Sequence, residues 1–128
     1  FPSSGFRSDG MLTDGRVLIS IEIEAGQTHP GTNTGKYWLL NDRYQAYERL
    51  ILFHIYTPDF SSYGWRKKLG EFYIEKMHLE FPIEYVLLDY RQTFKAYTEV
   101  LDEVQVMIAT RIDTEFGDNG TVSIYGTS

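Results

Sequence analysis

The chain contains no cysteine, which excludes disulfide bonds, zinc–thiolate sites and thiol catalysis. Long apolar runs are also missing, because the longest, near 50–56, is far too short to span a bilayer. Nothing resembles a signal peptide, so we expect a cytoplasmic protein without a membrane partner. Basic residues are few, with 12 Lys and Arg against 18 Asp and Glu. The net charge of −6 argues against a protein that coats nucleic acid through charge alone.

The 128 residues are typical of one domain, and no repeat, low-complexity tract or linker divides them. Hydrophobic residues make up 42% of the chain, which is enough for a packed core. We therefore expect a single domain over 1–128. The chain starts at Phe1 rather than Met, which is typical of a fragment of a longer protein.

The apolar pattern predicts a β-hairpin followed by alternating helices and strands. Strands are predicted at 6–12, 17–24, 49–56 and 83–90, with a last short strand at 121–125. Helices are predicted at 62–79 and 92–113, after a loop over 25–35 and a short helix or irregular segment near 37–40. This order predicts an α/β fold with a central mixed β-sheet flanked by helices.

The hairpin carries the acidic residues that bear most on function. Asp14–Gly15 is a strong signal for a two-residue type I′ turn. In that register Asp9 lies opposite Ser20 and diagonal to Glu22, because paired residues share a face. Glu22 and Glu24 alternate with isoleucines and point to that same face. The pattern therefore predicts three carboxylates on one side of a two-stranded ribbon.

Three converging carboxylates repel one another, and a divalent cation relieves that repulsion. Oxygen ligands at this density are typical of Mg²⁺ or Mn²⁺. The sequence thus indicates a metal site at Asp9, Glu22 and Glu24. The alternative interpretation is the solvated face of an edge hairpin, which carries alternating acidic residues without any metal.

The segment directly after the acidic strand is rich in polar side chains. Chain connectivity places Gln27, His29, Asn33 and Lys36 near the predicted metal site. If 33–37 is helical, Asn33 and Lys36 share one helix face. Lys36 is then a candidate cation beside an attacked phosphate, while His29 is either a metal ligand or a hydrogen-bond partner. An ordinary polar loop is the other interpretation of this segment.

A second group of candidate residues begins the helix predicted at 62–79. Arg66, Lys67 and Lys68 form the densest basic run in the chain and could bind phosphate. The alternative is the solvated face of a helix. The apolar stripe of the last predicted helix indicates core packing or, in the minority interpretation, a homodimer interface.

The order of elements over 6–90 resembles the PD-(D/E)XK, or restriction-endonuclease-like, nuclease superfamily. Asp9 matches the aspartate of that family's hairpin, and Glu22–Glu24 matches its Glu-x-Lys element. Glu24 stands where most members have lysine, as in the Glu-x-Glu variants, and Ser8 precedes Asp9 in place of proline. The family's N-terminal helix is absent, so it is either lost or located upstream of this segment.

The resemblance implies a restriction-endonuclease-like core and a divalent-metal-dependent nuclease that hydrolyses DNA, with RNA not excluded. It implies that Asp9 and Glu22 bind Mg²⁺ or Mn²⁺, and that Glu24 binds a second ion or activates water. Lys36 would replace the missing strand lysine, while Gln27, His29, Asn33 and the basic run would contact nucleic acid. The alternative is a catalytically inactive fold that serves as a nucleic-acid-binding or protein-assembly module, with solvated carboxylates.

Overall fold

The structure is a computed structural model that describes residues 6–45, 47–61, 65–91, 96–117 and 123–126. Within these ranges lie five strands and three helices in the predicted alternation. In chain order they are β1 (Gly10–Thr13), β2 (Val17–Glu24), α1 (Pro30–Tyr44), β3 (Arg49–Tyr56), α2 (Arg66–His78), β4 (Ile83–Asp89), α3 (Tyr97–Phe116) and β5 (Ser123–Gly126). None of these helices is long and apolar enough to cross a membrane.

The strands form one mixed sheet in the order β4-β3-β2-β1-β5. Strands β2, β3 and β4 run parallel, while β1 is antiparallel to both β2 and β5. The parallel connections contain helices α1 and α2, as crossovers between parallel strands require. The prediction of an α/β fold with a mixed central sheet and flanking helices is therefore confirmed. Strand β2, which carries the acidic residues, is the middle strand of the sheet.

Helices cover both faces of the sheet, so the domain has three layers. On one face, α1 and α2 pack on alternate residues of the strands; this cluster includes Leu18, Tyr37, Leu40, Leu50, Leu52 and Met77. On the other face, α3 covers the intervening residues; this cluster includes Val17, Ile19, Ile51, Phe53 and Phe116. Side chains at the even positions of β2, from Leu18 to Glu24, therefore point toward α1 and α2.

The hairpin register differs from the prediction. Thr13 pairs with Leu18, so the loop spans four residues, 14–17, rather than two. Asp14 is the cause, because its Oδ1 accepts hydrogen bonds from the backbone N–H groups of Arg16 and Val17, both at 2.9 Å. Only Gly15 in this turn has a positive φ, at 89°, so the type I′ prediction is wrong. The two-residue shift keeps the faces unchanged and brings Asp9 opposite Glu22 rather than diagonal to it.

Helix α1 is longer than the sequence indicated and begins at Pro30, inside the predicted loop. Proline at the first helical position costs no hydrogen bond, and its fixed φ suits the helix. The helix packs tightly on α2, since a Cβ on Gly31 would lie 2.6 Å from Leu69 and one on Gly70 would lie 3.1 Å from Pro30. Thr34 also donates a hydrogen bond to the Gly70 carbonyl at 3.2 Å. These contacts fix the position of α1 over the sheet.

Helix α2 buries a different face from the one predicted. The apolar pattern of the sequence places Trp65, Leu69, Phe72, Tyr73 and Met77 on one side of this helix. Of these, Met77 is buried as expected, but Trp65, Leu69 and Phe72 are 75%, 43% and 47% exposed, and Ile74 is buried in their place. The close approach of α1 at Gly70 causes this rotation, because it directs the Gly70, Ile74 and Met77 face inward. The predicted residues 62–64, 92–95 and 121–122 lie outside the described residues.

Candidate functional site

Strand β2 places two carboxylates inside the protein. Glu22 is 2% exposed and Glu24 is 0% exposed, because α1 covers this face of the central strand. The interpretation of Glu22 and Glu24 as the solvated face of an edge hairpin is therefore wrong. The inactive alternative also assumed solvated carboxylates, and that assumption is wrong for these two residues. The alternation of polar and apolar residues along β2 predicted two faces of the strand, but it could not show that each face is covered by a helix.

Two side chains of α1 contact Glu22. Lys36 Nζ lies 2.8 Å from Glu22 Oε2, and the Tyr37 hydroxyl donates a hydrogen bond to the same oxygen. The Tyr37 hydroxyl also contacts the hydroxyl of Ser20, one strand position earlier on the same face. Lys36 Nζ donates a second hydrogen bond to the Arg7 carbonyl at 2.6 Å. The lysine therefore bridges the buried carboxylate and the segment that leads into β1.

Burial raises the pKa of Glu22 from 4.5 to about 7. The positive charge and hydrogen bond of Lys36 and the hydrogen bond of Tyr37 oppose this rise, while the negative charge of Asp9 adds to it. Glu22 is thus a buried acid that exchanges its proton near neutral pH.

Glu24 lies in a different environment on the same strand face. Its two oxygens accept hydrogen bonds from the Asn33 side-chain amide at 3.1 and 3.0 Å, and His54 Nε2 lies 2.7 Å from Oε2. Burial acts to raise the pKa of Glu24, but hydrogen bonds from His54 and Asn33 outweigh it and hold the pKa below its usual value. The Tyr85 hydroxyl lies 2.6 Å from His54 Nδ1 and fixes the ring from its other side.

Asp9 differs from the two glutamates because its side chain is exposed. Its Oδ2 accepts a hydrogen bond from the Ile23 N–H at 2.7 Å, which holds it beside β2. Among the residues that the structure describes, no three His, Asp or Glu side chains are grouped to hold a metal. Mg²⁺ needs fewer ligands, because it commonly binds one or two carboxylates and keeps its waters. Glu24 is turned toward His54, which leaves Asp9 and Glu22 as the candidate pair of ligands.

The polar residues after β2 lie at the rim of this site rather than in its centre. Gln27 and His29 are exposed, and His29 immediately precedes α1 without capping it through its side chain. Arg66 Nη1 donates a hydrogen bond to the Gln27 carbonyl at 2.9 Å, which ties the start of α2 to this loop. Of the predicted loop residues, the structure thus brings Asn33 and Lys36 to the carboxylates and leaves Gln27 and His29 outside.

The two lysines of the predicted basic run contact their own helix, and the Lys67 ammonium also lies 5.4 Å from the centre of the Tyr56 ring on β3. Lys67 forms an ion pair with Glu71, one helical turn away. The Lys68 ammonium lies 5.0 Å from the centre of the Trp65 ring. The Lys68 contact is typical of a solvated helix face, whereas the Lys67 side chain is only 19% exposed and lies over Tyr56, whose ring centre is 4.7 Å from that of His54.

Three residues of this site were not predicted from the sequence: Tyr37, His54 and Tyr85. His54 is fully buried, and its ring contacts Glu24. Tyr85 was placed only in a strand, yet it supports the His54 ring. The sequence did offer one signal, because His54 is a polar residue within an otherwise apolar strand. The structure pairs His54 with Glu22 in the register between β2 and β3.

Comparisons of the chain with models of protein families, with curated proteins and with solved structures found no match.

Proposed function

We propose that this protein is a divalent-metal-dependent nuclease that hydrolyses DNA, with a restriction-endonuclease-like core and a Glu-x-Glu element. The observation that carries the proposal is the contact between Lys36 and Glu22 on the buried acidic face of β2. A lysine beside an acidic pair is the arrangement that the resemblance implies. Here the lysine comes from α1, and Glu24 occupies the strand position where most members carry it.

The topology supports the same proposal. An acidic hairpin is followed by a helix and a strand parallel to the second hairpin strand, so the carboxylates lie in the middle of the sheet. The different environments of Glu22 and Glu24 add chemical support. Carboxylates whose pKa values are moved in opposite directions are typical of sites that separate acid, base and ligand roles.

In the proposed mechanism, Asp9 and Glu22 would hold Mg²⁺ or Mn²⁺, with the Ile23 carbonyl as a further oxygen ligand. A bound metal would supply Lewis acidity and lower the pKa of its water. Glu24 would orient or deprotonate the attacking water, or hold a second ion, and His54 fixes the Glu24 carboxylate. Lys36 carries the positive charge that stabilises the developing charge on the phosphate oxygens.

A second candidate is a binding or assembly module with the same fold and no catalysis. One observation favours it: both buried glutamates already have partners within the chain. Lys36 and Tyr37 contact Glu22, and Asn33 and His54 contact Glu24. Such a network can stabilise a fold without taking part in a reaction.

The test is cleavage of labelled single-stranded and duplex DNA, and of RNA, with Mg²⁺, Mn²⁺ or EDTA. We expect metal-dependent cleavage that Asp9→Asn and Glu22→Gln abolish. Lys36→Met should lower the rate at saturating substrate by about tenfold or more, because it removes the cation that acts in the transition state. Glu75→Gln is the matched control, since Glu75 is exposed on α2.

Thermal unfolding with and without the metal separates the two candidates. Metal that binds only the folded protein raises the melting temperature, and Glu22→Gln should remove the increase. Absence of cleavage together with a metal-independent melting temperature would reject the nuclease and favour the binding module. Cleavage that survives both Asp9→Asn and Glu22→Gln would show that the site is wrongly assigned.

A further inference from the structure

A groove of 510 Å³ runs along α1 beside the segment that leads into β1. Residues spaced by three or four positions on α1 form one wall, and the segment before β1 forms the other. The side chains that the argument uses are Phe6, Arg7, Lys36, Leu39, Arg43 and Tyr44. The groove also includes Asn33, so two of its side chains contact the buried glutamates. It therefore opens directly beside the candidate active site.

The charge of the groove is opposite to the charge of the protein. Arg7, Lys36 and Arg43 line it, whereas no Asp or Glu is among its lining residues. The chain as a whole carries a net charge of −6. Arg43 is 70% exposed, and its nearest carboxylate, Asp42, is also exposed and 4.0 Å away. A contact of that kind leaves the Arg43 guanidinium available. Arg7 and Arg43, with Lys36 paired to Glu22 at the inner end of the groove, give a concave site that attracts an anionic ligand.

The same groove exposes aromatic and apolar surface between the cations. Tyr44 is 59% exposed and Leu39 is 56% exposed, although large apolar side chains of this kind are usually buried against other side chains. Phe6 lies at the opposite wall, where the Lys36 ammonium is 5.4 Å from its ring centre. Flat rings beside cations provide surfaces for stacking a base next to contacts for its phosphate.

We infer that this groove binds unpaired nucleotides of a nucleic-acid strand and directs that strand to Lys36 and Glu22. Bases in a duplex are stacked on their neighbours and cannot offer a face to Tyr44, whereas an unpaired base can. The volume also fits a nucleotide-sized ligand, since small-molecule sites have volumes of roughly 300–1,000 Å³. The inference rests on the proposed nuclease and assigns it single-stranded or frayed substrate.

Binding is tested without metal, so that it does not depend on cleavage. Fluorescence anisotropy of a labelled ten-residue oligothymidylate, and of the same strand in a blunt ten-base-pair duplex, is measured in EDTA. We expect tighter binding of the single strand. Tyr44→Ala should weaken that binding by about fivefold or more, which is the scale of one base stack. Arg43→Ala should lower the slope of log K against log salt by about 0.7, as expected for one lost phosphate contact.

Matched controls show whether these effects belong to the groove. Arg16→Ala removes an arginine whose side chain is 53% exposed in the hairpin turn, and Phe72→Ala removes an exposed ring on α2. Both should bind like the unaltered protein. The side chains of Arg43, Tyr44, Arg16 and Phe72 are all about half or more exposed. All four variants should therefore keep the melting temperature of the unaltered protein.

The inference is overturned if duplex binds as tightly as single strand, or if the groove variants bind like the controls. It is also overturned if thymidine monophosphate competes as well as the oligomer at equal nucleotide concentration, because the site would then take a free nucleotide. Metal-dependent cleavage that is unchanged in the groove variants would reject the groove and leave the nuclease intact. Groove-dependent binding without cleavage would reject the nuclease and leave the binding site.

Discussion

Replacing Glu22 by Gln tests the central physical feature of the site, a carboxyl group buried on the middle strand. Burial raises the pKa of Glu22 from 4.5 to about 7, so the folded protein holds this proton more tightly than the unfolded chain. The Glu22 contribution to stability is therefore complete below about pH 4.5 and is lost as the pH rises through about 7. Glutamine keeps the shape and an oxygen acceptor for Lys36 and Tyr37 but has no proton to lose.

The size of the effect follows from the shift of the pKa. From 4.5 to about 7 is about 2.5 pKa units, and each unit corresponds to about 1.36 kcal/mol, which gives a loss of about 3 kcal/mol. Glu22→Gln should remove that loss. The difference in free energy of unfolding between variant and unaltered protein should therefore move in favour of the variant by about 3 kcal/mol between pH 4.5 and pH 8.

The assay is urea unfolding followed by tryptophan fluorescence, in EDTA, at half-unit steps from pH 4.5 to pH 8. Titratable groups that the substitution leaves unchanged contribute equally to both proteins and cancel in the difference. Glu75→Gln is the control, because an exposed carboxyl should give a flat difference. If the Glu22→Gln difference is also flat, Glu22 ionises as it does in water, and the reasoning from burial is wrong.

Three further predictions concern the surroundings of this site. Lys36→Met removes the charge that opposes the rise in the pKa of Glu22, so the loss of stability, which starts near pH 4.5 in both proteins, should continue to higher pH in the variant. Gly70→Ala should lower the free energy of unfolding by about 1–3 kcal/mol, because the new Cβ would lie 3.1 Å from Pro30 and 3.3 Å from its backbone. Glu115→Gln should cost about 1–3 kcal/mol at pH 7 and little at pH 3 in the same assay, because hydrogen bonds from Arg49 hold the pKa of Glu115 below its usual value.

Much of the fold could be predicted because its strands have unambiguous patterns. Strands β2 and β3 begin and end at the predicted residues, since strict alternation and a continuous apolar run both have sharp limits. The hairpin turn could not be predicted from Asp14–Gly15 alone. The Asp14 side chain accepts two of the hydrogen bonds that set the four-residue loop, whereas turn statistics for Asp-Gly favour a two-residue loop.

Burial was the property that sequence reasoning failed to predict at the site. The face of Glu22 and Glu24 has the pattern of a solvated surface, and only the position of α1 shows that it is covered. The start of α1 was itself hidden, because Pro30 and the glycines that follow have low helix propensity. Those glycines are explained by the close approach of α2, which is a contact between segments distant in sequence.

The same contact connects the packing of the fold to the chemistry of the site. Lys36 reaches Glu22 from a helix, so the distance between them depends on where α1 lies over the sheet, and α2 sets that position through Gly70. A lysine on β2 itself would be held by strand pairing and would not depend on helix packing. Displacement of α1 by Gly70→Ala should therefore change two quantities together, the free energy of unfolding and the pH at which Glu22 loses its proton. If the free energy of unfolding falls but its pH dependence is unchanged, α1 is displaced only at its Pro30 end, and the turn that carries Lys36 stays in place.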